Sequence, residues 1–209
     1  MGATSDYVSR GVTRSAGAPS VQADGHYLWS SGWFAGVSAA SIRRTPNSPT
    51  TAELTGYFGD TRAFTGTWSG RMTAAHYEYP GITPSQPYNY DELSGSLIYR
   101  DRLVLMVTVS PDRGVDSTRG TVSNRTALAY DLTLHQLLPL GLSANWGVGY
   151  YDLHQLVGVG YVYWNAGLGY EVGAVHFDLS YLGTNANAQS LFYDNAATNR
   201  LVATVLWGF

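Results

Sequence analysis

The chain has 209 residues, of which 44% are hydrophobic, 13% are aromatic and only 13% are charged, and its formal net charge is −3. The charged share is about half that of an average soluble domain, and the small net charge with scattered arginines excludes a nucleic-acid-binding surface. The chain contains no cysteine, which excludes disulfides and thiolate metal sites.

The N-terminal segment shows no targeting signal. The opening "MGATSDYVSR" lacks the basic and apolar regions of a signal peptide. No run of about 18 apolar residues follows, so the sequence offers no transmembrane helix. We therefore expect a mature secreted form, with Met1 and Gly2 added for expression.

Apolar and polar positions alternate along most of the chain, whereas helical periodicity is scarce. The runs "RLVLMVTVS", "TALAYDLTLH", "LSANWGVGYY" and "AVHFDLSYL" are the clearest examples. Such runs predict about twelve strands, near 5–14, 21–31, 33–43, 51–60, 64–79, 90–100, 102–110, 121–136, 141–152, 159–171, 174–183 and 198–209.

The predicted connections alternate in length. Tight turns at "SSGW", "YRDR", "LPLG" and "EVGA" are separated by longer loops such as "RRTPNSPTT" and "PGITPSQPYNYD". Short turns on one side and longer loops on the other are typical of outer-membrane barrels. We predict one all-β domain over 1–209, a transmembrane antiparallel up-and-down barrel with both termini on the periplasmic side.

A soluble sandwich or barrel would also alternate apolar and polar positions. Here, however, the polar face carries mostly Ser, Thr, Gly and Asn, and the apolar face carries aromatic residues near strand ends, as in the girdles at the two bilayer interfaces. The membrane barrel is therefore favoured. The girdle candidates are Tyr27, Trp29, Trp33, Trp68, Tyr99, Tyr150, Trp164, Tyr170, Tyr181 and Trp207.

The chain ends in "RLVATVLWGF", with an apolar residue at every second position. This end resembles the C-terminal signal of Gram-negative outer-membrane proteins, whose final Phe is recognised by the insertion machinery. The resemblance implies that machinery and the lipid bilayer as partners. The candidate insertion signal is Leu201, Ala203, Val205, Trp207 and Phe209.

A set of short motifs occurs in the first half of the chain. The motifs are Asp6, Tyr7, Arg10 and Gly11, then Pro19 and Gln22, then Ser31, Gly32 and Trp33, and later "AAHYEYPG" and "YNYDELSGSL". This set resembles the Gcw_chp family of uncharacterised proteobacterial outer-membrane proteins, strongly over about half of the chain and by pattern over the rest. The spacing departs from the family pattern in places. The resemblance implies a location in the Gram-negative outer membrane, and no catalytic residues carry over.

The sequence contains little that indicates a catalytic or metal-binding site. None of the five His has a second His at metal-binding spacing, and we expect no metal and no cofactor. A barrel hydrolase needs Ser and His with an orienting polar group. His76 with Glu78, or His154 with Asp152, is the nearest approach, and neither has a clear Ser partner. We expect no enzyme.

The polar faces of the strands point to a lumen. Charges there either line a narrow passive pore for small polar solutes or ions, or pair across it and close a structural or adhesive barrel. We favour the pore and a weak cation preference, with no plug domain, although loop 184–197 could fold inward. The predicted lumen-lining residues are Asp24, His26, Glu53, Arg71, Glu92, Arg100, Arg125, Asp131, His135, Glu171, His176, Asp178 and Arg200.

The proline-rich segment "YPGITPSQPYNYD" suggests a different function. Tyr79, Tyr88 and Tyr90 are candidates for binding a partner at low entropic cost, either a second copy of the chain or another outer-membrane or surface protein. A rigid loop that shields the barrel mouth is the simpler interpretation. Deleting 82–88 would separate the two, because only a binding role predicts a lost interaction.

Overall fold

The computed structural model describes residues 1–81, 89–113, 125–192 and 194–208. Strands dominate this part of the chain, with two short helices, α1 (His154–Val157) and α2 (Ala186–Leu191), and one 3-10 turn at Pro139–Gly141. The strands are β1 (Gly2–Thr4), β2 (Val8–Ser9), β3 (Val12–Thr13), β4 (Ser20–Leu28), β5 (Trp33–Ile42), β6 (Thr51–Ala63), β7 (Trp68–Glu78), β8 (Tyr90–Tyr99), β9 (Leu103–Arg113), β10 (Arg125–Leu137), β11 (Leu142–Asp152), β12 (Tyr161–Val172), β13 (Val175–Thr184) and β14 (Arg200–Trp207).

Twelve of these strands form one closed antiparallel barrel in the order β1, β14, β13 and so on down to β4. The strand β1 closes it, since Gly2 lies opposite Leu206 of β14 on one side and Gln22 of β4 on the other. Closure leaves no free strand edge, which is what an apolar surrounding requires of a sheet. The predicted twelve-stranded barrel is confirmed.

The two ends of the barrel differ. The short-turn end carries the connections 29–32, 64–67, 100–102, 138–141 and 173–174, and the long-loop end carries the other connections, including those that hold α1 and α2. Both termini lie at the short-turn end, as predicted, because β1 leaves it and β14 returns to it. No helix in the described ranges is long and apolar enough to cross a membrane.

The outer wall is apolar. Val37, Phe58 and Leu201 point outward with 59–67% of their surface exposed, and the register puts the predicted girdle residues of the strands on the same face. Along β14, Leu201, Ala203, Val205 and Trp207 all face outward, opposite Tyr181, Leu179, Phe177 and Val175 of β13. Phe209 lies outside the described residues.

The predicted first strand, 5–14, is wrong. The wall strand is Gly2–Thr4, and residues 5–19 leave the wall as a segment that we call the arm. The arm contains the hairpin of β2 and β3, which turns at Arg10 and Gly11 with φ of 49° and 77°. Two successive residues with positive φ are typical of a type I′ hairpin turn. The sequence pattern does not distinguish the arm from a wall strand, because apolar and polar residues alternate in a short hairpin as they do in a wall strand.

The buried core lies inside the barrel, in the half next to the long-loop end. One cluster joins Ala127, Tyr151 and Tyr161 of the wall to Ala188 of α2, with Val12 of the arm packed against it. A second cluster contains Ile42, Tyr79 and Tyr90, with Tyr7 of the arm against it. Burial of apolar surface therefore holds the arm inside the barrel.

Candidate functional site: the lumen and the arm

Arg10, at the tip of the arm, crosses the lumen to the wall. Its guanidinium donates to both carboxylate oxygens of Glu92 on β8, at 2.7 and 3.1 Å, and lies 4.8 Å from the ring centre of Tyr151 on β11. Its carbonyl oxygen accepts from the Tyr161 hydroxyl at 3.1 Å. A two-pronged arginine–carboxylate pair fixes orientation as well as distance. The tip of the arm is thereby held against three different strands.

Burial alone would lower the pKa of Arg10, but the hydrogen bond and the charge of Glu92 outweigh it and hold that pKa above its ordinary value. Arg10 is 15% exposed and Glu92 only 9%. Ser110 also donates to Glu92, at 3.0 Å. Because both charges are withdrawn from water, each depends on the other to offset its lost hydration.

A second contact joins the middle of the arm to β6. The Tyr7 hydroxyl donates to Glu53 Oε1 at 2.7 Å, and the Tyr79 hydroxyl donates to Glu53 Oε2 at 2.6 Å. Burial raises the pKa of Tyr7 far above its ordinary value, and Glu53 raises it further. Tyr7 therefore stays protonated and remains a donor to this carboxylate.

The base of the arm is tied to β14. Asp6 forms an ion pair with Arg200 and accepts hydrogen bonds from Thr13 and Ser15, the latter at 2.8 Å. The backbone N–H of Thr13 donates to the carbonyl of Ala196 at 2.9 Å. These contacts satisfy the polar groups that the arm brings into the interior.

The segment after β13 also folds inward. Ala188 of α2 is fully buried, and Phe192 packs edge-on against Tyr161 with ring centres 5.6 Å apart. Loop 184–197 folds inward in its described part, as the sequence allowed, and the arm lies beside it inside the barrel. The arm and α2 fill the lumen next to the long-loop end.

The other half of the lumen is hollow. A cavity of about 550 Å³ lies below the arm, with Tyr7 and Glu53 at its inner end and Gln22, Asp24 and Tyr57 on its sides. The Tyr57 hydroxyl donates to Asp24 at 2.7 Å, and the His26 ring nitrogen lies 2.9 Å from the same carboxylate. The cavity extends to residues at the short-turn end, which include Trp207 and Gly208.

Side chains two strands apart also meet across the opposite wall. Tyr163 donates to Asp131 at 2.5 Å, passing over Gly149, where an added Cβ would overlap the Tyr163 ring. Asn145 donates to Asp178 at 3.4 Å and lies 2.5 Å from His135. Small residues between the partners make these contacts sterically possible.

Most of the predicted lumen residues face inward, with different surroundings. Asp24, His26, Arg71, Asp131, His135, Glu171, His176 and Asp178 lie on the inner face of the strands. Glu53, Glu92 and Arg200 also face inward, but the arm covers them. Arg71 donates to Thr61 at 3.1 Å, and Glu171 lies opposite His176 in the register.

Two predicted lumen residues lie elsewhere. Arg100 is in the turn between β8 and β9, with φ of 50°, and its guanidinium lies 5.3 Å from the outward-facing Tyr99 ring. It is therefore not on the inner face of a strand. Arg125 begins β10 at the long-loop end and is exposed, next to a register shift.

The proposed tyrosine binding surface is wrong for two of its three members. Tyr79 and Tyr90 are only 7% and 4% exposed. Tyr90 stacks on Tyr77 with ring centres 4.6 Å apart, and the guanidinium of Arg113 covers its other side at 3.7 Å. Tyr88 lies outside the described residues, as does the segment 82–88.

The two histidines considered for a hydrolase each contact an aspartate. His76 contacts Asp91 at 2.8 Å rather than Glu78, and both point outward from the wall. His154 contacts Asp152 at 2.6 Å, where α1 begins. In the described ranges, no three His, Asp or Glu side chains lie close enough together to hold a metal ion.

Tyr7, Arg10 and Arg14 belong to the arm, and no alternation of apolar and polar positions predicts that they lie in the lumen. Arg14 is half-buried. Its removal from water alone would lower its pKa, but the charges of Tyr79, Tyr90, Glu53 and Tyr7 hold that pKa above the ordinary value. The available signal was the Asp6, Tyr7, Arg10 and Gly11 motif. In that motif, Tyr7 and Arg10 contact the wall, Gly11 forms the turn of the arm, and Asp6 ties its base to β14.

Solved structures share this fold. A NanC porin superposes with a TM-score of 0.70 over 100% of this chain and 99% of its own, at 10% sequence identity. A protein studied for the in-meso crystallization of membrane proteins gives a TM-score of 0.56 over 99% of this chain and 80% of its own, at 14% identity. No curated protein sequence matches the chain.

The sequence model of one bacterial family matches residues 1–208. That range includes the arm, the twelve wall strands and the inward-folded α2. The chain therefore belongs to Gcw_chp, a family of bacterial proteins of unknown function.

Proposed function

We propose that this protein is a channel of the Gram-negative outer membrane, a narrow passive pore for small polar solutes or ions whose outer half is constricted by the arm. The observation that carries the proposal is the cavity of about 550 Å³ inside a closed barrel with an apolar outer wall, because Gln22, Asp24 and Glu53 are among the residues that line this cavity. Side chains just fill a barrel of about eight strands, so twelve leave room for a passage.

The location follows from the same features. An apolar outer face with aromatic residues at both strand ends suits a bilayer, and the short-turn end would then face the periplasm. The hollow half of the lumen would open to the periplasm and the arm would lie towards the cell surface. The outward-facing residues of β14 would serve the insertion machinery.

The charges on the inner face of the wall favour cations. The acidic side chains Asp24, Asp131, Glu171 and Asp178 lie on this face, and Arg71 is an arginine on the same face of the described strands. Arg10 and Arg200 are neutralised by Glu92 and Asp6. A lumen with a net negative charge raises the local concentration of cations.

The arm also supports a second candidate function. It brings two ion pairs and two apolar clusters into the lumen, which a permanently closed structural barrel would equally need. In that case the long loops or the outer wall would bind a partner protein or a second copy of the chain.

Conductance in a planar bilayer under a salt gradient tests the two candidates. The chain has no cysteine, so Thr13→Cys with Ala196→Cys, at positions whose backbones are hydrogen bonded, would introduce a unique cross-link between arm and loop. We expect channel openings in the wild type. In the double-cysteine variant, oxidation should make openings rarer, and reductant should restore them. The single-cysteine variants are the controls.

Arg10→Ala extends the test, because it removes the contact that holds the tip of the arm. We expect larger or more frequent openings than in the wild type. Arg62→Gln, which removes an arginine from the outer wall, should leave conductance unchanged. Silence from inserted wild type and from inserted Arg10→Ala alike would refute the pore and favour the closed barrel.

A further inference from the structure

The outer wall is not uniformly convex. A groove of about 840 Å³ runs across β7 to β11, and most of the residues that line it belong to the outer face of these strands. Its sides are apolar and include Leu97, Leu105, Leu132 and Val148. Gly70 and Gly95 lie on the same outer face. The Phe64 ring lies over Gly70, whereas the space over Gly95 is open.

The groove is open to its surroundings. Leu97, Leu105 and Leu132 are 38–45% exposed, and Met72 is 61% exposed. At Gly95 an added Cβ would meet no atom within 4 Å. A flexible apolar chain could therefore lie over Gly95 and contact the groove on several sides, which increases the apolar area that it buries.

Charged groups of both signs lie at the end of the groove towards the short turns. Arg62 is 55% exposed and pairs with Asp60 at 2.6 Å. In the neighbouring turn, Arg100 and Asp101 are both exposed, and the backbone N–H of Arg100 donates to the carbonyl of Thr67 at 2.8 Å. The two turns are thus linked.

Aromatic rings mark the same level. Trp68 and Tyr99 face outward with ring centres 4.7 Å apart, and such rings settle at the level of lipid head groups. An acyl chain in the groove would therefore have its head group beside Arg62 and Arg100. Arginine recognises phosphate, and the carboxylate of the exposed Asp101 suits an ammonium.

We propose that this groove binds one phospholipid molecule whose head group carries both a phosphate and an ammonium, with an acyl chain over Gly95. The charge complementarity of the two linked turns selects the head group, and the apolar groove holds the chain. The inference does not depend on an open lumen, since it concerns the outer wall alone.

Native mass spectrometry of the detergent-purified barrel with added phosphatidylethanolamine tests the proposal. Gly95→Leu would fill the groove, whereas Gly25→Leu places the same side chain on the outer face of β4, where an added Cβ also meets nothing within 4 Å. We expect one retained lipid per barrel, retention weakened about tenfold by Gly95→Leu, and no change with Gly25→Leu.

Two further measurements test recognition of the head group. The double variant Arg62→Gln with Arg100→Gln should retain less phosphatidylethanolamine. The wild type should retain diacylglycerol, which has no phosphate and no ammonium, poorly. Equal loss in the two leucine variants, or equal retention of diacylglycerol, would overturn the proposal. So would a dimer of the chain that Gly95→Leu alone abolishes, because a second copy would then occupy the groove. Heat-modifiable gel mobility verifies that each variant is folded.

Discussion

Arg10 and Glu92 lie 82 positions apart in the chain and meet inside the barrel through two hydrogen bonds of 2.7 and 3.1 Å. The pair joins the tip of the arm to the wall strand β8. It is the contact that turns an N-terminal segment into an obstruction of the lumen, and it governs both the stability of the arm and the proposed conductance.

Removing one charge of this pair should be costly. Glu92→Gln leaves the buried Arg10 guanidinium without its counter-charge, and such losses are about 3 to 5 kcal/mol. Urea unfolding in lipid vesicles measures the change. Arg62→Gln, at the exposed Arg62–Asp60 pair, should cost less than about 1 kcal/mol. Equal losses in the two variants would contradict the burial of the Arg10–Glu92 pair.

The turn of the arm should depend on Gly11 for two reasons. Gly11→Ala is strained by the φ of 77°, and its Cβ would collide with Thr184 and Tyr163. Gly17→Ala, at φ of 74° but in open space, carries the strain alone, about 1 to 2 kcal/mol. We expect Gly11→Ala to lower the unfolding free energy by more than Gly17→Ala does. Equal effects would show that the tip of the arm does not pack against the wall.

The two faces of β13 should respond oppositely to charge. Leu179→Arg places a guanidinium on the outer face, where Leu179 is 50% exposed, and should cost about 2 to 4 kcal/mol near the middle of the bilayer. Ser180→Arg points into the lumen beside Asp178 and should cost much less. Vesicle unfolding compares them, and the reverse order would invert the assigned faces.

Tyr90 should behave as a core residue and not as a surface ligand. Its ring is enclosed by Tyr77 and Arg113, so Tyr90→Ala should cost about 3 to 5 kcal/mol, as for other buried rings. Tyr27→Ala, at a side chain 64% exposed, is the control and should cost far less. Ready modification of Tyr90 by a membrane-impermeant reagent on intact cells would contradict this burial.

Ion preference, if the pore conducts as proposed, should depend on the inner carboxylates. Asp131→Asn removes one negative charge from the lumen while keeping a hydrogen-bond acceptor for Tyr163. The reversal potential under a salt gradient should shift towards a weaker cation preference. Asp101→Asn in the exposed turn should leave the reversal potential nearly unchanged, and equal shifts would assign the preference to surface charge instead.

The sequence by itself determined the wall of the barrel. Eleven of the twelve wall strands, the outward residues of β14 and the inward positions of Asp24, Asp131 and Asp178 all follow from a period of two. That period is local, and an apolar surrounding requires every strand to turn its apolar side chains outward. Each run of about ten residues is therefore enough to assign the outward and inward faces of its strand. The terminal positions follow from the even strand number.

Only the tertiary structure decided what fills the barrel. Residues 8–13 alternate much as a wall strand does, and their placement depends on partners 46, 82 and 194 positions away from Tyr7, Arg10 and Asp6. The surroundings of Tyr79 and Tyr90 likewise depend on Glu53 and Arg113, which no local pattern brings near them. Long-range pairing of buried charges and rings leaves no periodic trace in the sequence, because each partner satisfies the other only after the wall has closed around them.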